Sequence, residues 1–128
     1  MLEEENNNVT LKWFDKCDNK LPEAFWFKFK GFKEDWILDK MGVWTSPEHT
    51  LGNKGLHAVM YGVKNSDVTI ETLDAALVAP FGRHLLEVDF KMEQDLYFNL
   101  YNNIWNTNFP MWYSDDSKFR FIIHKNEK

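Results

Sequence analysis

Phe25, Phe27 and Phe29 recur at every second position of Ala24-Phe25-Trp26-Phe27-Lys28-Phe29-Lys30, with Lys28 and Lys30 on the alternate positions. Only an extended chain gathers such residues on one face, because successive strand side chains point to opposite sides while a helix scatters them around its circumference. Pro22 suits the entry to this strand, where no ladder donor is needed, and Gly31 ends it. The same alternation returns in short runs at Val9–Phe14, Leu56–Val63, Val68–Leu73, His84–Phe90, Leu96–Tyr101 and Phe119–Ile123. Short strands are also predicted around Met41–Thr45 and after a turn at Asp74–Ala75. Turn-like stretches separate these runs at Asp15–Lys20, Ser46–Gly55 and Asn65-Ser66-Asp67. Asp74–Ala79 is too short for a helix and is stopped by Pro80 and Gly82. About eight short strands with no amphipathic helix make the chain all-β, an antiparallel β-sandwich.

The 128 residues suit one domain, read as a loose end over 1–8 and a single sandwich over 9–128. In the run Leu56–Val63, Leu56, Ala58 and Met60 share one face and His57, Val59 and Tyr61 the other. The aromatic share of 16% gathers in Ala24–Trp36 and Tyr97–Phe121. A net charge of −5 in mixed signs argues against nucleic acid or an anionic membrane as partner, since both want a basic face. The interleaved Lys28, Lys30 and Lys33 read as the solvated side of a strand. With one cysteine, Cys17, no internal disulfide is possible. The stretch MLEEENNNVT has neither the basic nor the apolar region of a secretory signal, so a cytoplasmic location is expected.

Candidate chemistry is sparse. Glu71 with Asp74, or Glu87 with Asp89, are the carboxylate pairs that glycoside hydrolysis would call on, but Glu87 and Asp89 lie two apart on one strand, as solvated residues do. His49, His57, His84 and His124 show no metal-ligand spacing with one another or with Cys17, and no cofactor or metal is expected. The serines lack any elbow or triad signature, and no glycine pattern would cradle a phosphate.

The chemically distinctive stretch is Tyr97–Phe121, whose loop NNIWNTNFPMW sets Asn102, Asn103, Asn106 and Asn108 among Trp105, Phe109 and Trp112. Aromatic faces stack on sugar rings, and amides donate and accept toward hydroxyls. Asn103, Trp105, Asn106, Asn108 and Trp112 are therefore the candidate substrate-binding residues. The competing account has the rings plug the end of the sandwich while the asparagines cap backbone groups, as they do in turns.

Three segments together carry a resemblance: Leu21-Pro22-Glu23-Ala24-Phe25-Trp26, Ile70–Pro80 (IETLDAALVAP), and Phe98–Trp105 (FNLYNNIW) with Thr107–Trp112 (TNFPMW). Their order and spacing resemble the C-terminal part of glycoside hydrolase family 38-like, α-mannosidase-like proteins that include the domain of unknown function family 5054. Leu56–Val59 fits the same pattern. The resemblance implies a non-catalytic sandwich that braces a catalytic barrel and lends the Asn102–Trp112 loop to the rim of its sugar site. The zinc ligands and nucleophilic aspartate of α-mannosidases lie in upstream parts, and no residue here matches them. The alternatives are a free-standing carbohydrate-binding module and an interaction domain for a separately encoded hydrolase. A homodimer, joined through apolar surface, is a further expected association.

Overall fold

The computed structural model describes residues 1–30, 33–49, 55–83, 91–104 and 112–127. Among them the chain is all-β: β1 (Leu2–Glu5), β2 (Asn8–Lys16), β3 (Ala24–Phe29), β4 (Ile37–Lys40), β5 (Val43–Thr45), β6 (His57–Ala58), β7 (Gly62–Lys64), β8 (Val68–Thr72), β9 (Leu77–Ala79), β10 (Leu96–Asn102) and β11 (Asp115–Lys125), with one 3-10 turn at Pro47–His49. They form a seven-stranded sheet in the order β1-β2-β11-β8-β7-β4-β5 and a four-stranded sheet in the order β3-β10-β9-β6. Every strand pair is antiparallel.

The alternation read in the sequence is what joins the two sheets. Along β8, Val68, Ile70 and Thr72 are buried while Thr69 and Glu71 are half-buried. Phe121 of the larger sheet meets Phe27, Phe29 and Phe98 of the smaller one at ring-centroid distances of 5.4, 5.4 and 4.9 Å. Trp36, Leu38, Val63, Val78 and Leu96 are fully buried around them. Aromatic pairs in tilted and edge-on arrangements add to the area they remove from water.

Three local readings change. Residues 1–8, expected as a loose end, carry an edge hairpin: β1 pairs with β2 from Leu2↔Leu11 to Glu5↔Asn8. Its turn is Asn6-Asn7, with Asn6 at φ 54°, a conformation that asparagine tolerates better than most residues. Met41–Thr45 is not one strand but the second half of a β4–β5 hairpin, in which Lys40 pairs with Val43 across Met41 and Gly42, both at positive φ. Two such residues are what a two-residue hairpin loop of type I′ requires. The run Leu56–Val63 alternates only as far as Met60, with His57 and Val59 buried and Ala58 and Met60 exposed; Tyr61, expected on the face of His57 and Val59, is exposed, and the run is two strands in different sheets. The chain changes sheets at Val59–Tyr61, where Asp39 Oδ2 accepts the Tyr61 amide at 2.8 Å while Asp39 Oδ1 accepts that of Gly42 at 2.7 Å. The strand expected at His84–Phe90 lies outside the described residues.

Asn65-Ser66-Asp67 turns as expected. The buried Asn65 side chain accepts the amides of Asp67 and Val68, both at 2.9 Å, which closes the β7–β8 hairpin.

Candidate functional site

β10 ends in the asparagines that the sequence singled out. A register shift between Asn99 and Tyr101, where β10 runs beside β3, re-aims the residues beyond it. Asn102 donates to Asn99 Oδ1 at 2.6 Å, and Asn99 donates to the carbonyls of Phe25 and Tyr101. Asn103 is 4% exposed and reaches across to the segment before β3. Its Oδ1 accepts the Glu23 amide at 2.7 Å, and its Nδ2 donates to the carbonyls of Leu21 and Asn19 at 2.7 and 3.2 Å. Its own backbone amide donates to the Glu23 carbonyl at 3.1 Å. The Asn103 side chain therefore serves as a staple, with its amide engaged on both sides by the backbone of 19–23.

Glu23 on that segment faces Lys16 at the end of β2, with Lys16 Nζ 2.7 Å from the carboxylate. Lys16 also donates to the carbonyls of Cys17 and Tyr113 and lies 4.8 Å from the Tyr101 ring centroid. The hydrogen bond from Lys16 holds the Glu23 carboxyl below the usual range, against the opposing effect of desolvation, with further help from Asn19. This pair ties β2, the 19–23 segment and Tyr113, just before β11, to one point.

Trp112 is placed quite differently from Asn103. It is 44% exposed, with Lys20 Nζ 4.8 Å from its ring centroid, and the neighbouring Tyr113 is exposed too. Of the five sequence-selected residues, the structure thus gives Asn103 an internal role and leaves Trp112 open to solvent, while Trp105, Asn106 and Asn108 lie outside the described residues.

The candidate carboxylates are engaged in the fold. Asp74 receives Nε, Nη2 and the backbone amide of Arg120 at 2.8–2.9 Å, and that pairing lowers its carboxyl below the ordinary value. Glu71 accepts from Tyr61 Oη at 3.0 Å and lies 3.3 Å from His124 Nε2. Glu87 and Asp89 lie outside the described residues. His57 is buried against Phe81, and among the described residues no three His, Cys, Asp or Glu side chains converge as a metal cluster. No helix among them is long and apolar enough to cross a membrane.

A further concavity was not anticipated. A cleft of about 480 Å³ is lined by Ala24, Trp26, Gly82, Arg83, Glu93 and Tyr97. Trp26 and Tyr97 come from neighbouring strands, β3 and β10. Arg83 follows Gly82, which turns the chain at φ 94°, and the Glu93 amide donates to the Pro80 carbonyl at 3.0 Å and so closes this turn. Arg83 and Lys28 lie 5.8 and 5.6 Å from the Tyr97 ring centroid. A second cleft of about 540 Å³ runs past Trp13, Phe14, Lys16 and Phe25 and shares Ala24, Trp26 and Arg83 with the first. The available sequence signal was Trp26 itself, a large ring on the lysine side of a strand whose other side is all phenylalanine.

No protein-family model, curated protein or solved structure matches this chain.

Proposed function

We propose that this chain is the non-catalytic C-terminal β-sandwich of an α-mannosidase-like glycoside hydrolase. In this role it braces a catalytic barrel and lends the Asn102–Trp112 loop to the rim of the sugar site. The supporting observation is that the three segments behind the resemblance are joined as one unit. Asn103 binds the third segment to the first through the carbonyls of Asn19 and Leu21 and the amide of Glu23. β9, from the second segment, pairs with the part of β10 that belongs to the third at Phe98↔Val78 and Asn99↔Leu77. A set of motifs kept for one structural purpose would be expected to meet in this way.

The test has two arms. The purified chain, with zinc, is assayed on 4-nitrophenyl α-mannoside, and it is separately mixed with the α-mannosidase-like barrel encoded upstream of it or beside it. The expected outcome is no turnover and co-elution with the barrel. Turnover by this chain alone, or failure to associate, overturns the proposal. The alternative, a free-standing carbohydrate-binding module, draws on the exposed Trp112 beside Tyr113. It predicts a saturable change in tryptophan fluorescence with mannose oligosaccharides that Trp112→Ala abolishes.

A further inference from the structure

The cleft between Trp26 and Arg83 has the makings of a binding site in its own right. Its volume of about 480 Å³ falls in the range of about 300–1,000 Å³ typical of small-ligand sites. Two aromatic side chains from adjacent strands, Trp26 and Tyr97, supply flat apolar surface on rigid elements. Arg83 supplies a fork of donors and Glu93 a pair of acceptor oxygens. Among the described lining residues Arg83 and Glu93 balance in charge, and Lys16 of the second cleft is paired with Glu23 at 2.7 Å, which disfavours a strongly charged ligand. Among the described lining residues Glu93 is the single carboxylate.

The second cleft extends the same surface, since Ala24, Trp26 and Arg83 line both. It contributes Trp13, whose buried indole N–H has no hydrogen-bond acceptor among the described residues. Flat rings, donor and acceptor forks and two adjoining clefts together match a chain of sugar rings better than a compact ion or a lipid tail.

We propose that the groove centred on Trp26 and Arg83 binds a neutral oligosaccharide of hexose units, with Trp26 and Tyr97 covering sugar faces and Arg83 and Glu93 bonding hydroxyl pairs. This assignment is separate from the Asn102–Trp112 loop and does not depend on the chain working beside a barrel.

The whole chain is titrated by calorimetry with mannotriose, maltotriose and cellotriose at millimolar concentration, and with a glucuronic acid trimer as the charged control. Saturable binding of at least one neutral trisaccharide is expected, weakened about tenfold or more by Trp26→Ala and by Arg83→Ala and unchanged by Trp112→Ala. Arg83 is exposed, so its variant keeps the test informative if Trp26→Ala fails to fold. The proposal is overturned if no neutral probe binds, if only the glucuronic acid trimer binds, or if Arg83→Ala binds as well as the parent. Loss of binding in Trp112→Ala with full binding in Arg83→Ala overturns it in favour of the loop.

Discussion

Replacing Asn103 by alanine removes one side chain and three hydrogen bonds at once: Oδ1 from the Glu23 amide, and Nδ2 to the carbonyls of Leu21 and Asn19. The side chain is 4% exposed, so water cannot simply replace it. Each such bond contributes about 0.5–1.5 kcal/mol net, and the 3.2 Å bond to Asn19 belongs at the low end. The backbone bond from the Asn103 amide to the Glu23 carbonyl survives, which limits the damage. A loss of about 2–3 kcal/mol follows, or a fall in Tm of about 10 °C for a domain of this size. Urea denaturation followed by tryptophan fluorescence measures the loss, and hydrogen exchange locates it, since the Glu23 amide should lose protection first. Asn103→Asp is the sharper control. It keeps an acceptor for the Glu23 amide but turns a carboxylate toward the Leu21 and Asn19 carbonyls, and should be no more stable than the alanine variant. A loss below about 0.5 kcal/mol for Asn103→Ala, within the range of an ordinary surface change, would refute the staple.

Gly62→Ala should cost about 3 kcal/mol, read from the urea midpoint, because a Cβ there would lie 2.1 Å from the Ile70 carbonyl oxygen, a backbone atom that no rotamer change can move. Asp74→Asn should cost about 0.5 kcal/mol at neutral pH, the small value reflecting an exposed Arg120. Because Arg120 depresses the Asp74 carboxyl in the folded chain, the parent's advantage is fully present above its ordinary value of 3.8 and is lost as pH falls through the lower folded value. Stability curves of parent and variant should therefore converge in acid, and a gap that widens there would refute the pairing. Trp112→Ala should leave stability within about 0.5 kcal/mol, since its ring is 44% exposed; a larger loss by thermal melting would make Trp112 a structural plug.

The parts of this fold that could be read in the sequence are those where one face of a strand meets the core. β8 shows its burial directly in Val68, Ile70 and Thr72, and Asn65 announces its own turn. The parts that could not are set by partners distant in sequence. No residue type in Leu56–Val63 announces the point where the chain leaves one sheet for the other; only in the fold does the alternation break there, with Met60 and Tyr61 both exposed. Asn103 looks no different from the other asparagines of its loop until residues 19–23 are brought against it. Arg83 and Glu93 carry no motif at all; a glycine turn and the pairing of β3 with β10 place them beside Trp26. The tight turns were missed for a local reason, since Met41 and Asn6 take left-handed conformations that composition does not require of them.

The placement of β11 has a consequence in time rather than space. β11 lies between β2 and β8, pairing Phe121 with Val9 on one side and with Thr72 on the other. Val9 must therefore wait for a partner more than a hundred positions along the chain, and until it arrives both β2 and β8 offer an open flank. A ribosome releasing this chain exposes Val9, Leu11 and Trp13 long before β11 can cover them. Folding should accordingly be slow for the chain's size, on the order of milliseconds to seconds. The interval before β11 docks is when a chaperone or a second nascent chain would compete for β2.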